Sequence, residues 1–177
     1  NNREDFVAAI KKSGIETEVL VHDALCVRAS GGCLFSAAIG DRSGNRGSCA
    51  QPCRQSYNGT FPLSLKDLCL AEHVKEMLEM GIDCMKIEGR MKSPEYVYTI
   101  TKVYRTLIDE RRLPTDAELA ELKSVFTRSG FTDGYFTAEV GPHMSGIRTE
   151  EDKAVTRNTS VEIRERKLNV QFKCVVK

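Results

Sequence analysis

Residues 83–112 read DCMKIEGRMKSPEYVYTITKVYRTLIDERR, and this stretch decides the fold class. Residues 83–88, with Cys84, Met85 and Ile87 apolar and turn residues on either side, predict a strand. Gly89 and Arg90 turn the chain, and Ser93–Pro94 supplies an N-cap followed by proline at the first helical position. Val97, Ile100, Thr101, Tyr104, Leu107 and Ile108 then recur at helical spacing, predicting a helix that runs to Arg112. The unit is strand, turn, helix.

Upstream, Ser64 is a candidate N-cap for a helix reaching Glu79, with Leu65, Leu68, Cys69, Val74 and Leu78 near one face and Gly81 as its stop. Residues 18–22 alternate like a strand, and residues 5–13 carry Phe6, Ala9 and Ile10 at helical spacing before Gly14. Downstream, Thr115 and Glu118 have the spacing of a capping box, opening a helix with Leu119, Leu122 and Phe126 apolar that ends near Gly130. Helix, strand, loop, helix, strand, helix is the order of a parallel α/β sheet. The expected fold is therefore α/β: over residues 1–148, part of a parallel (β/α) barrel-like domain with a Cys-rich insertion at 25–69. Groups at the C-terminal ends of barrel strands form the active face. That makes His22, Glu88 and Arg90 candidate catalytic residues; their plain alternatives are a structural imidazole and a salt bridge at the barrel mouth.

From residue 149 the texture changes. TEEDKAVTRNTS is polar, and SVEIRERKLNVQFKCVVK alternates like a β-hairpin, so residues 149–177 read as a linker and the incomplete beginning of a β-rich domain. A start without Met and a stop inside that run suggest a piece of a longer chain.

The 177 residues are 41% hydrophobic and 29% charged, an ordinary globular composition that argues against disorder. A net charge of +1 carries no global signature of a nucleic-acid or membrane binder. No apolar run approaches the roughly 20 residues that span a bilayer, and the first residues form no signal-peptide core. A cytoplasmic location and no membrane partner are the expectation.

Five of the seven cysteines, Cys26, Cys33, Cys49, Cys53 and Cys69, fall in one segment dense in Gly and Arg. An odd count without a secretory signal argues against a disulfide framework. A long segment of little periodicity needs something to pin it, and convergent thiolates on a soft metal or an iron–sulfur cluster would do so. Zinc remains the alternative, although only Cys49 and Cys53 have the short spacing of structural zinc pairs. Cys84 and Cys174 read as packing residues and His73 as a surface residue. Arg42, Arg46, Arg54 and Lys92 are candidates for clamping an anionic substrate through forked or charge-assisted hydrogen bonds.

Glu18 and Leu20, then Ala24–Leu25–Cys26, Gly31–Gly32–Cys33 and Ser36 together resemble the signature of the U32 family, known as collagenase-like peptidases. The resemblance continues through Asn45–Arg46–Gly47, Cys49–Ala50–Gln51–Pro52–Cys53–Arg54, Lys66–Asp67–Leu68–Cys69, and Lys86–Ile87–Glu88–Gly89–Arg90 to Lys92–Ser93–Pro94. Leu20 stands where the family usually has Phe, and Asp23 where it has Gly. The tail from residue 146 resembles the start of the extra C-terminal domain of long members.

The resemblance implies a [4Fe–4S] cluster held by four cysteines. Cys26, Cys33 and Cys49 match the first three ligands, with Cys69 as the fourth and Cys53 as its alternative. It implies oxygen-independent hydroxylation of a ribosomal-RNA cytidine, a tRNA wobble uridine or ubiquinone precursors. For the RNA branch it implies prephenate as a co-substrate, and it implies partner proteins that load the cluster. Two other functions stay open: a peptidase, as the family label says, and a non-catalytic, metal-stabilised module of a larger protein. Against the peptidase stands the absence of an HExxH, a GxSxG or a nearby Cys–His pair.

Overall fold

The computed structural model describes residues 3–29, 32–90 and 92–158. Helix α1 (Arg3–Lys12) leads to strand β1 (Glu18–Asp23). Among its described residues the long Cys-rich segment holds a short helix, α2 (Phe35–Gly40), and two single 3₁₀ turns before strand β2 (Asp67–Cys69). Then follow α3 (Val74–Met80), β3 (Cys84–Ile87), α4 (Pro94–Glu110), α5 (Asp116–Val125), β4 (Phe131–Thr132), α6 (Gly134–Thr137) and α7 (Glu150–Asn158).

The class is α/β, as expected, but the sheet is mixed. Its order is β3-β1-β2-β4; β1 is parallel to β3 and antiparallel to β2, and β2 is parallel to β4. No barrel closes among the described residues, and the expectation of an all-parallel sheet is corrected.

The expected helix from Ser64 is also corrected. Its first half is extended because residues 64–66 are bonded to a distant segment: Ser64 Oγ donates to Gly146 O at 2.7 Å, Gly146 N to Ser64 O at 3.0 Å and Lys66 N to Met144 O at 2.8 Å. These bonds replace the capping role of Ser64. The chain then pairs with β1 at His22↔Cys69 and Asp23↔Leu68, so Cys69 lies on a strand, and α3 begins only at Val74.

Helix α4 starts as its sequence predicts, with the Ser93 hydroxyl accepting from Tyr96 N and Pro94 in the first turn. Its buried stripe is Tyr96, Thr99, Ile100, Val103, Tyr104 and Leu107: Ile100, Tyr104 and Leu107 face inward as expected, whereas Val97 and Thr101 face outward and Tyr96, Thr99 and Val103 take the inner face beside them. This stripe covers the sheet together with Val21, Leu68, Leu70, Val74, Met77, Leu122 and Val125. The Tyr104 hydroxyl reaches through that core to the strands, donating to Val21 O at 2.7 Å and accepting from Leu70 N at 3.1 Å.

Helix α5 carries the expected capping box. Thr115 Oγ1 accepts from Glu118 N, and the Glu118 carboxylate accepts from Thr115 N. Arg112 forks onto the same carboxylate at 2.7 Å, which holds Glu118 down to about 2. Phe126 ends the helix in an extended conformation. Helix α7 occupies part of the expected linker; Thr149 and Asp152 bond reciprocally at its start. The β-patterned tail and Cys174 lie outside the described residues.

Candidate thiol centre and its cationic flank

Cys26 follows β1, Cys33 precedes α2, Cys49 lies between the two 3₁₀ turns, and Cys53 is inside the second. None is in a disulfide; Cys26 and Cys49 are exposed, and Cys33 and Cys53 are partly so. The Cys49 sulfur accepts from Gln51 N at 3.2 Å and from the Ser36 hydroxyl at 3.6 Å, and Ser36 Oγ in turn accepts from Ala50 N at 3.1 Å. That small network orders the loop around one sulfur. Burial pushes the Cys53 thiol up; the Arg54 charge opposes this, and the neighbouring Cys26 and Cys49 sulfurs reinforce it. Cys26 and Cys49 thus each lie within electrostatic reach of Cys53.

Cys69 is placed differently. Its sulfur stands 3.7 Å from the Tyr104 hydroxyl, and burial dominates in pushing its thiol up. Soft, exposed sulfur donors on one loop fit a soft metal or a cluster by their chemistry. Among the described residues, however, no three His, Cys, Asp or Glu side chains stand as a group that holds a metal ion. Cys84 is not packed; it is exposed at the start of the edge strand β3.

His22 does not open onto an active face. It is 1% exposed, with its ring among Tyr96, Tyr104 and Phe131 at centroid distances of 5.2–5.9 Å. Tyr104 gives its hydroxyl proton to Val21 O, so the 3.4 Å contact with His22 assigns the proton to His22 Nδ1. Nε2 is then a buried acceptor with no partner among the described residues. Burial, aided by the Lys92 charge, pushes the imidazole down to about 3. It is neutral and sealed at physiological pH.

Arg54 is likewise committed to structure. It donates to Leu65 O at 2.8 Å and to Leu25 O at 2.7 Å, stapling the two ends of the Cys-rich loop. Arg42 donates to Ser48 O and Arg90 to Gly47 O, so both brace the loop from exposed positions; Arg46 sits in the first 3₁₀ turn. Arg90 and Glu88 form no ion pair among the described residues. His73, expected on the surface, is tied to Glu76 at 3.1 Å and Asp133 at 2.8 Å.

Beside the loop, Asp67 is 3% exposed and paired with Arg128. Burial raises Asp67 against the pull of Arg128, Lys92 and Arg54. Asp23 is raised by burial as well, and the same three cations pull it down. The Asp at this position therefore adds a carboxylate to the cation group. Lys92, lowered chiefly by burial, stands 3.7 Å over the Phe126 ring and 4.9 Å over Tyr96. Lys92 is a candidate from the sequence; Arg128 carries no motif, and Phe126 reads there only as an apolar residue of a helix.

The Peptidase family U32 model matches residues 4–145, which include every strand among the described residues and the whole Cys-rich segment. The chain belongs to peptidase family U32. Relatives similar to this U32 chain include tRNA hydroxylation proteins and a collagenase. It is 42% identical to tRNA hydroxylation protein P1 of Bacillus subtilis over 116 residues, 56% of this chain and 28% of that protein. It is 37% identical to tRNA hydroxylation protein P of Helicobacter pylori over 152 residues, 71% of this chain and 36% of that one. It is 33% identical to a collagenase of Porphyromonas gingivalis over 156 residues, 78% of this chain and 43% of the collagenase. The chain thus spans less than half the length of these relatives. No solved structure matches it. No helix among the described residues is long and apolar enough to cross a membrane.

Proposed function

We propose that the full-length U32 protein is a cytoplasmic iron–sulfur enzyme supporting oxygen-independent hydroxylation of RNA, a tRNA wobble uridine or a ribosomal-RNA cytidine, with prephenate as co-substrate. The observation that carries this reading is that Cys26 and Cys49, both exposed on the Cys-rich loop, each lie within electrostatic reach of the partly exposed Cys53. The names of the tRNA hydroxylation relatives support the RNA branch. Cys33, next in sequence to the loop helix, completes four thiols.

Cys53 is the better fourth ligand than Cys69. It shares the electrostatic surroundings of Cys26 and Cys49, whereas the Cys69 sulfur is engaged by Tyr104. A [4Fe–4S] centre held there would supply one-electron redox chemistry. The chain's own part is to hold it: Arg54 ties the loop ends together, and Ser36 and Gln51 direct hydrogen bonds at the Cys49 sulfur, a recognised lever on cluster potential. A peptidase finds less support. His22 faces Tyr104 and His73 faces two carboxylates, so neither activates a Ser or Cys nucleophile.

Deleting the gene in its host and measuring tRNA and ribosomal-RNA nucleosides by mass spectrometry tests the reading. Loss of a 5-hydroxylated pyrimidine is expected, restored by the full-length gene but not by its Cys49→Ser form. Unchanged nucleosides together with gelatin cleavage by the purified protein would replace it with the peptidase.

A further inference from the structure

Phe126 ends α5 with its ring encircled by cations. Lys92 Nζ is 3.7 Å from the ring centroid, Arg148 Cζ 4.4 Å and Arg128 Cζ 4.8 Å. These residues come from three separate places: the turn before α4, the segment before α7, and the loop between α5 and β4. A ring has two faces, so at least two of the three heads share one. Like charges brought together in a half-buried place repel unless something negative answers them.

The protein's own carboxylates answer only in part. Asp67 bonds Arg128 through Oδ1, and its Oδ2 has no partner among the described residues. Among the described residues Lys92 has no hydrogen-bonded carboxylate; Asp67 and Glu88 act on it through their field, while Arg128 and Arg54 repel it. The buried Nε of Arg148 is without a partner among the described residues. Asp23 faces this group from the end of β1, with no ion pair among the described residues. Four cationic heads, counting Arg54, therefore meet three carboxylates. The donors left over are an ammonium and a guanidinium on one ring.

We propose that Lys92, Arg128 and Arg148, gathered on Phe126, bind the oxyanion group of a small ligand, a carboxylate or a phosphate, beside the thiol loop. Guanidinium forks match planar carboxylate and phosphate oxygens, and an ammonium adds a compact point charge. Arg54, within electrostatic reach of Arg128 on one side and of Cys53 and Cys26 on the other, makes the site continuous with the loop. A small ligand fits better than a nucleic-acid backbone, since Arg128 is only 9% exposed. That this ligand is a reactant rests on the proposed function; its binding does not. Asp23 sets the affinity from across the group.

Calorimetric titration of the full-length protein with malonate, and separately with inorganic phosphate, at ionic strength held constant with sodium chloride, tests the site. One-to-one binding is expected for at least one probe, weakened about tenfold or more by Lys92→Ala and by Arg148→Gln. Asp23→Asn is expected to tighten it by about threefold, because a like charge has gone. Iron content and circular dichroism of each variant separate lost binding from lost folding, and iron-free protein is expected to bind alike. Binding unchanged in all three variants, or no binding of either probe by folded protein, overturns the proposal. So does a ten-nucleotide RNA whose affinity falls in the variants while malonate and phosphate fail to bind, since the cations would then hold an RNA backbone.

Discussion

Replacing Asp67 by alanine is expected to lower the unfolding free energy by about 3–5 kcal/mol, the usual cost of stranding one partner of a buried ion pair. Asp67 is 3% exposed, and the side chain of Arg128 opposite it is 11% exposed. Removing the carboxylate leaves Arg128, Lys92 and Arg54 facing one another with their central anion gone. Urea titration of the full-length protein reads the loss. Asp67→Leu combined with Arg128→Met is expected to recover most of it, because an apolar pair of similar volume replaces both desolvated charges. A single variant within about 1 kcal/mol of the parent would mean that the pair is hydrated and not buried.

The second large effect concerns pH. His22 is held down to about 3 in the folded protein, whereas the unfolded chain carries a histidine near the ordinary value of about 6.5. The unfolded state therefore binds the proton first as pH falls. Stability from this residue is complete above about pH 6.5 and drains away towards about pH 3, at about 1.4 kcal/mol per pH unit. His22→Phe retains an aromatic ring against Tyr96, Tyr104 and Phe131 but does not titrate. The difference in stability between parent and variant, followed from pH 7 to pH 4 by urea titration, should carry that slope. Parallel pH profiles would show that the imidazole is reached by water.

The start of α4 and the capping box of α5 were legible because the signal is local: Ser93–Pro94 and Thr115 with Glu118 act within one turn. Strand β2 was not, because Leu65, Leu68 and Cys69 fit a helical face as well as a strand. The deciding bonds come from far along the chain: Gly146 and Met144 hold residues 64–66 extended, and β2 itself pairs with β1 and β4. Strand β4 has two residues, too few to alternate.

At the candidate site the thiols were legible by number and spacing. The contrast between Cys53 and Cys69 was not, since it depends on the pairing of β2 with β1 and on the reach of Tyr104 from α4. His22 read as a residue at an open strand end because nothing local announces the three rings that enclose it. Arg128 and Arg148 carry no motif; Phe126, at the end of α5, gathers them with Lys92.

The most direct measurement is iron and sulfide analysis of the full-length protein purified without oxygen, with Cys26, Cys33, Cys49, Cys53 and Cys69 each changed to Ser. The account predicts about four irons and four sulfides per chain, lost on changing Cys26, Cys33, Cys49 or Cys53 and retained on changing Cys69. Loss with Cys69 and retention with Cys53 would contradict the ligand set, and stoichiometric zinc or metal-free protein in every preparation would contradict the iron–sulfur enzyme itself.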